Sequence, residues 1–314
     1  MTAQVWIDQT RDMLLSGYVE ELDLVIAPLI SDATSTTLSV QGLAGGISRG
    51  TVIEVGSELM YVTAKTGDTQ VSVIRGYGGS TASATGHPVD SIVRVSPKFP
   101  THRIVQSIND ELADLSTPNS GLFQMLTTSF TYNGGVDGYD LNTGSNVVNS
   151  VYSVTYADVG SEASEPEVMS WRLKRNRDTA NFSSGLALIL YTAAWPGQKV
   201  TVSYKSPLTP ITDGTTARSA TGLQSTAYDL PPLGAALALM TTAPIRREFL
   251  DAEGTSRMAE EVPAGAISAS MRDLRFRRDQ RVQSEAARLA AMYPQMWQRN
   301  SANRPSANWS GFRA

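Results

Sequence analysis

The residues that could do chemistry in this chain are few and scattered. There are two histidines, His87 and His102, and no cysteine. The absence of cysteine excludes disulfides and thiolate metal sites and fits assembly in a reducing compartment. Two histidines leave little for an imidazole-based catalytic or metal centre. No His-Glu-x-x-His, Gly-x-x-x-x-Gly-Lys or Gly-x-Gly-x-x-Gly occurs, and no serine is read as an acyl-transfer nucleophile. Asp137-x-x-Asp140-x-Asn142 carries oxygen ligands suited to calcium but lacks the spacing of a calcium loop, so it reads as turn chemistry. Adjacent acids at Glu20-Glu21 and Glu260-Glu261 read as solvated faces. Trp171 and Trp195 could stack on a sugar, but packing within or at the edge of a β-sandwich is the simpler role. The expectation is therefore no enzyme, no catalytic residue, no cofactor and no metal.

The elements around these residues form an α+β chain. With 41% hydrophobic residues over 314 positions, several domains with real cores are affordable. The longest strongly apolar run, Leu233 to Met240, is far short of the ~20 residues of a membrane span. The N-terminus has no basic-then-apolar pattern, so no signal peptide is expected. A net charge of −4 argues against a nucleic-acid binder overall.

In chain order, a helical segment is expected over 1–30. It comprises an amphipathic helix from 3 to 16, with Val5, Ile7, Met13 and Leu14 as its apolar positions, and a second helical piece from Val19 to Ala27. A small β-module follows over 31–100. Val52, Ile53 and Val55 form one apolar run, and Met60/Val62 and Val71/Val73 show the period of two of half-buried strands. Gly67-Asp68 suits a hairpin, and a small-residue loop from Arg75-Gly76 closes at His87-Pro88 before a strand at Ser91 to Val95. Arg75 reads either as a loop arginine tied to backbone carbonyls, the favoured role, or as an inter-subunit ion-pair partner. His87 reads as a residue that orders the loop.

A linking helix is expected over 101–118, with Thr101 as cap and Ile104, Ile108, Leu112 and Leu115 on one stripe. Short strands with turns between them imply a jelly-roll-like β-sandwich over 122–208, with strands at Val147–Tyr156, Val168–Lys174, Leu186–Tyr191 and Val200–Tyr204. Residues 209–266 read as a polar linker (Thr209 to Thr226), an apolar helix starting at Pro231-Pro232, and a further loop. Residues 267–314 read as an Arg-rich helix with a capping box at Ser270-x-x-Asp273, ending at Pro294, and then an extended docking arm. Every basic residue after Lys205 is arginine. Aromatics and arginines anchor interfaces. The candidate docking residues are accordingly Arg272, Arg275, Arg277, Arg278 and Arg281 on the helix, with Trp297, Arg299, Arg304, Trp309, Phe312 and Arg313 on the arm.

The β-module also resembles a module of virion proteins of tailed bacteriophages. The matching residues are Ile53, Val55, Glu58, Met60, Val62, Val73, Arg75, Gly76, Gly79 and His87. Ser80 stands where threonine is common, and Pro88-Val89-Asp90 stands where Gly-Ala is usual. The segment from Ser96 through Leu115 is similar to the connection that follows this module in phage neck proteins. The resemblance implies a structural head-to-tail connector (adaptor-like) of the neck. Such a protein forms a ring, commonly a dodecamer, that bridges portal protein and tail around the DNA channel. The implied partners are further copies of the chain, the portal protein and other neck or tail proteins. Packaged DNA would lie nearby, and no membrane is involved. The implied location is the virion, after assembly in the host cytoplasm. The arginines then face acidic grooves on the portal rather than phosphate, because Asp273, Asp279 and Glu285 lie among them. The alternative is a tail-tip or receptor/glycan-binding module acting through the sandwich.

Overall fold

The computed structural model describes residues 1–15, 20–27, 36–42, 47–136, 138–141, 143–144, 146–156, 167–168, 170–191, 196–242 and 266–294. The protein is mixed α+β with antiparallel sheets, and it divides into two compact units. The first comprises residues 1–114 and 209–283, the second residues 115–208 and 284 onward.

The first unit is built on a closed six-stranded barrel. Its strands are β1 (Leu22–Ala27), β2 (Thr37–Val40), β3 (Val52–Val55), β4 (Glu58–Lys65), β5 (Gln70–Ile74) and β6 (Ile92–Val95), in the cyclic order β1-β2-β5-β4-β3-β6. Val25, Leu38, Val40, Ile53, Val55, Met60, Val62, Val71, Val73, Val93 and Val95 point inward and form one buried cluster. The period of two read in the sequence is this inside/outside alternation. The β4–β5 hairpin turns at Gly67, where the N–H groups of Thr66 and Gly67 donate to the Gln70 carbonyl.

One expected helix is a strand. Residues 22–27 form β1, paired with β2 on one side and β6 on the other. Local helix propensity is a weak prior against two rows of ladder hydrogen bonds and burial of Val25. The Asp23 carboxylate also fixes the strand locally, accepting from the Leu24 and Gly42 N–H groups. Glu20, read as part of a solvated acidic pair, is instead buried beside Arg94 and Arg11.

The first unit also contains α1 (Gln4–Leu15), α2 (Thr101–Leu115), α3 (Leu230–Thr242) and the first part of α4 (Ala266–Met292). The buried face of α1 is Trp6, Ile7, Thr10 and Arg11, whereas Val5 is exposed. Arg11 reaches the Thr101 hydroxyl at 2.8 Å and Glu54 of β3 at 3.6 Å. Glu54 accepts the Thr101 N–H, so a barrel carboxylate caps α2 in place of the Thr101 side chain. Ile104, Ile108, Leu112 and Leu115 are buried, as their spacing requires.

The expected linker from Thr209 to Thr226 is packed into the first unit. Asn109 of α2 exchanges two hydrogen bonds with Ile211, and the N–H groups of Ala3 and Gln4 donate to Thr216 and Gly214 carbonyls. Ile211, Arg218, Thr221 and Leu223 are buried, so a polar composition concealed enough apolar and hydrogen-bonding capacity to fix the chain.

The second unit has two three-stranded antiparallel sheets. One contains β7 (Gln124–Thr131), β12 (Lys199–Ser206) and β9 (Ser150–Tyr156), ordered β7-β12-β9. The other contains β10 (Trp171–Lys174), β11 (Ala187–Leu190) and β8 (Tyr139–Asp140), ordered β10-β11-β8. Val154, Leu188, Val200, Val202 and Tyr204 bring both sheets to one core. Phe123 and Tyr152 meet Tyr293 with ring centroids 5.9 and 5.7 Å apart, which docks the end of α4 in this unit.

Candidate interaction surface

The loop between β5 and β6 is closed by a knot of charge centred on Glu58. Glu58 opens β4, and Arg75 immediately follows β5. The Arg75 guanidinium grips the Glu58 carboxylate with two bonds of 2.8 and 2.7 Å, and a third bond of 2.8 Å reaches the Ser83 carbonyl. The N–H groups of Gly76 and Ser83 donate to the same carboxylate, and His87 Nε2 lies 2.9 Å from it. Burial alone would push Glu58 up. The bonds from Arg75, His87 and Ser83 outweigh it and hold the carboxyl at about 2. Gly76 sits at φ 63°, and a Cβ there would meet the Ser80 carbonyl at 3.2 Å, so glycine suits the position. Ser80 accepts the Leu59 N–H at 2.9 Å, tying the loop to β4 a second time.

This knot corrects the inter-subunit reading of Arg75. The side chain is buried and its charge is spent on Glu58 within the same barrel. His87 orders the loop as expected. The Glu58–Arg75 pairing itself was missed, although a buried arginine needs an acid and Glu58 is the strand-facing acid that opens β4.

A second ion-pair site lies among α2, α3 and α4. Arg278 of α4 binds Glu111 of α2 with two bonds of 2.7 and 3.0 Å, and also binds Asp114. Burial works against the Arg278 charge, but the two carboxylates hold its proton on more firmly than usual. Burial equally favours a neutral Glu111, and the guanidinium opposes it. The Glu111 carboxyl rests on the α3 backbone at Gly234, where a Cβ would lie 1.9 Å from Glu111 Cδ. Above this pair is a cleft of about 520 Å³ lined by Leu237, Thr241, Met271, Arg272, Arg275 and the pair itself.

The candidate arginines thus divide. Arg278 and Arg281 hold the first unit together, since Arg281 grips Asp229 with bonds of 2.7 and 2.9 Å. Arg277 pairs with Asp273 one turn away on the exposed face. Arg272 and Arg275 are exposed at the cleft, with Phe276 beside them at 62% exposure. Trp297, Arg299, Arg304, Trp309, Phe312 and Arg313 lie outside the described residues, as do Trp195, Asp137 and Asn142. Asp140 accepts from the Ser183 and Ser184 hydroxyls, 43 and 44 residues away, so it ties β8 to the segment before β11 and does not make a local turn. Trp171 is partly buried against the second core.

Two sequence features were passed over. Residues 46–50 do spell Gly-x-Ser-x-Gly, but Ser48 lies between β2 and β3, where its neighbour is the Thr51 hydroxyl. A nucleophile elbow needs a strand-to-helix turn. Arg172, Lys174, Arg175 and Arg177 also form a basic open groove of about 550 Å³ beginning on the edge strand β10. Four basic residues in six positions were the available signal. Compared with known proteins, the chain matches no family and no curated protein.

Proposed function

We propose that this chain is a structural virion protein of a tailed bacteriophage, forming a ring at the neck that connects portal to tail around the DNA channel. The observation that supports this reading is the Glu58 knot. The residues that carry the phage-module resemblance and are spread over 30 positions, Glu58, Arg75, Gly76 and His87, converge on one carboxylate. The pattern therefore acts as a unit that fixes a loop on a small barrel, which is a structural task. In this reading the chain has no catalytic role and needs no cofactor.

The portal-facing residues in this reading are Arg272, Arg275 and Phe276 on the exposed face of α4, together with the tryptophans and arginines of positions 295–314. Bidentate arginine–carboxylate bonds suit an acidic protein groove. The interleaved Asp273 and Asp279 make phosphate the poorer partner. In this reading the second unit, with its two antiparallel sheets, is a jelly-roll-like sandwich. Particles assembled without this chain test the proposal. DNA-filled heads that lack tails are expected, and normally tailed particles would overturn it.

A further inference from the structure

The barrel carries an exposed apolar patch on each of two opposite seams. At the β1/β6 seam, Leu22, Leu24 and Ile26 alternate outward along β1. Leu24 stands directly opposite Ile92 of β6. Val89 joins them, because the Asp90 N–H donates to the Val25 carbonyl. These five residues are 36–55% exposed. At the β4/β5 seam, Tyr61 stands opposite Ile74, and Tyr77 lies against Tyr61 with ring centroids 5.3 Å apart. Ile74 and Tyr77 are 53% and 43% exposed. In the cyclic order the two seams are three strands apart in either direction, so they are diametrically opposed.

Their surroundings differ in sign. Exposed Glu21 and Asp90 border the first patch, and the nearby Arg94 is taken up by Glu20. Exposed Arg49 borders the second, since Gly50 is bonded to β4 at Val62 and lies beside the Tyr61 hydroxyl. The loop from Gly76 to Pro88, which flanks the second patch, contains no acid.

Single exposed apolar residues are ordinary, but contiguous apolar patches mark interfaces. Two unlike patches on opposite sides of one domain, with opposite charge at their rims, suit one occupant better than any other: a further copy of the same chain. We infer that the β1/β6 seam of one copy packs against the β4/β5 seam of the next, giving a heterologous head-to-tail contact. Such a contact closes into a ring when the rotation between copies divides the circle, and makes a filament when it does not. The inference deepens the ring reading but stands on the barrel surface, so it is tested without the portal.

The test uses the full chain and two single variants, Leu24→Asp and Ile74→Glu, each checked for an unchanged circular-dichroism spectrum. Sedimentation should show concentration-dependent association of the parent chain and loss of assembly beyond the monomer in each variant alone. An equimolar mixture of the two variants should form a 1:1 complex and stop, because each copy keeps one intact seam. Because the chain lacks cysteine, a Leu24→Cys/Ile74→Cys double variant should give a disulfide-linked ladder on oxidation, and neither single variant should. A monomeric parent, unchanged assembly of the variants, or no complex in the mixture would overturn the inference. A parent that assembles through other surfaces would leave the connector proposal intact while refuting this interface.

Discussion

The carboxyl group of Glu111 occupies the space in which a side chain at Gly234 would begin. A Cβ on Gly234 would stand 1.9 Å from Glu111 Cδ, and Glu111 is in turn gripped by Arg278. Three helices therefore share one contact that only glycine permits. Gly234→Ala should expel Glu111 and leave Arg278 to its second acid, Asp114, with a loss of about 3 kcal/mol, the low end of the range for breaking a buried pair. In a Glu111→Ala background the same substitution should cost far less, because the clash is gone. Urea unfolding of the single and double variants measures this. Additive losses would show that the two residues act separately.

Glu58→Ala should destabilise the barrel by about 3–5 kcal/mol, since it leaves the Arg75 guanidinium buried without its acid. The Arg75→Ala/Glu58→Ala double variant should be more stable than the sum of the single losses implies. Chemical denaturation in a double-mutant cycle gives the coupling directly.

The same carboxylate sets an acid limit on stability. Its folded value of about 2 lies below the ordinary 4.5, so the folded state binds protons less readily than the unfolded one. The stabilisation is complete above pH 4.5 and drains away as pH falls from 4.5 toward 2. Melting temperature measured across that window should fall more steeply in the parent chain than in Glu58→Gln. Parallel curves would exclude Glu58 as the source.

Arg275→Ser and Arg278→Ala should separate surface from scaffold. Arg275 is exposed, so its loss should move stability by no more than about 0.5 kcal/mol while weakening portal capture. Arg278→Ala should destabilise strongly whether or not a portal is present. Thermal melts alongside portal pull-down distinguish the two.

Much of the barrel was legible because Ile53/Val55, Met60/Val62 and Val71/Val73 recur two apart and its hairpin turns at a glycine. β1 was not, because Glu20-Glu21-Leu22-Asp23 looks helical until two neighbouring strands need a partner. α2 was read correctly from Ile104, Ile108, Leu112 and Leu115, yet its cap was misread, because Glu54 lies 47 residues away in sequence. The same distance problem hid the Glu58 knot: Glu58, Arg75, Gly76 and His87 were each noticed and Ser83 was not, and no local pattern says that they meet. The arginines of α4 were visible as a class, whereas their division into inward clamps and outward contacts depends on Glu111, Asp114 and Asp229, which only the fold brings near.

The most direct test is the mass of the purified chain mixed with its portal protein, by light scattering and negative-stain imaging, with and without residues 295–314. A connector ring predicts a portal complex of uniform size that carries several copies of the chain and is lost on truncation. A chain that stays monomeric beside the portal, or a complex indifferent to the truncation, would contradict it.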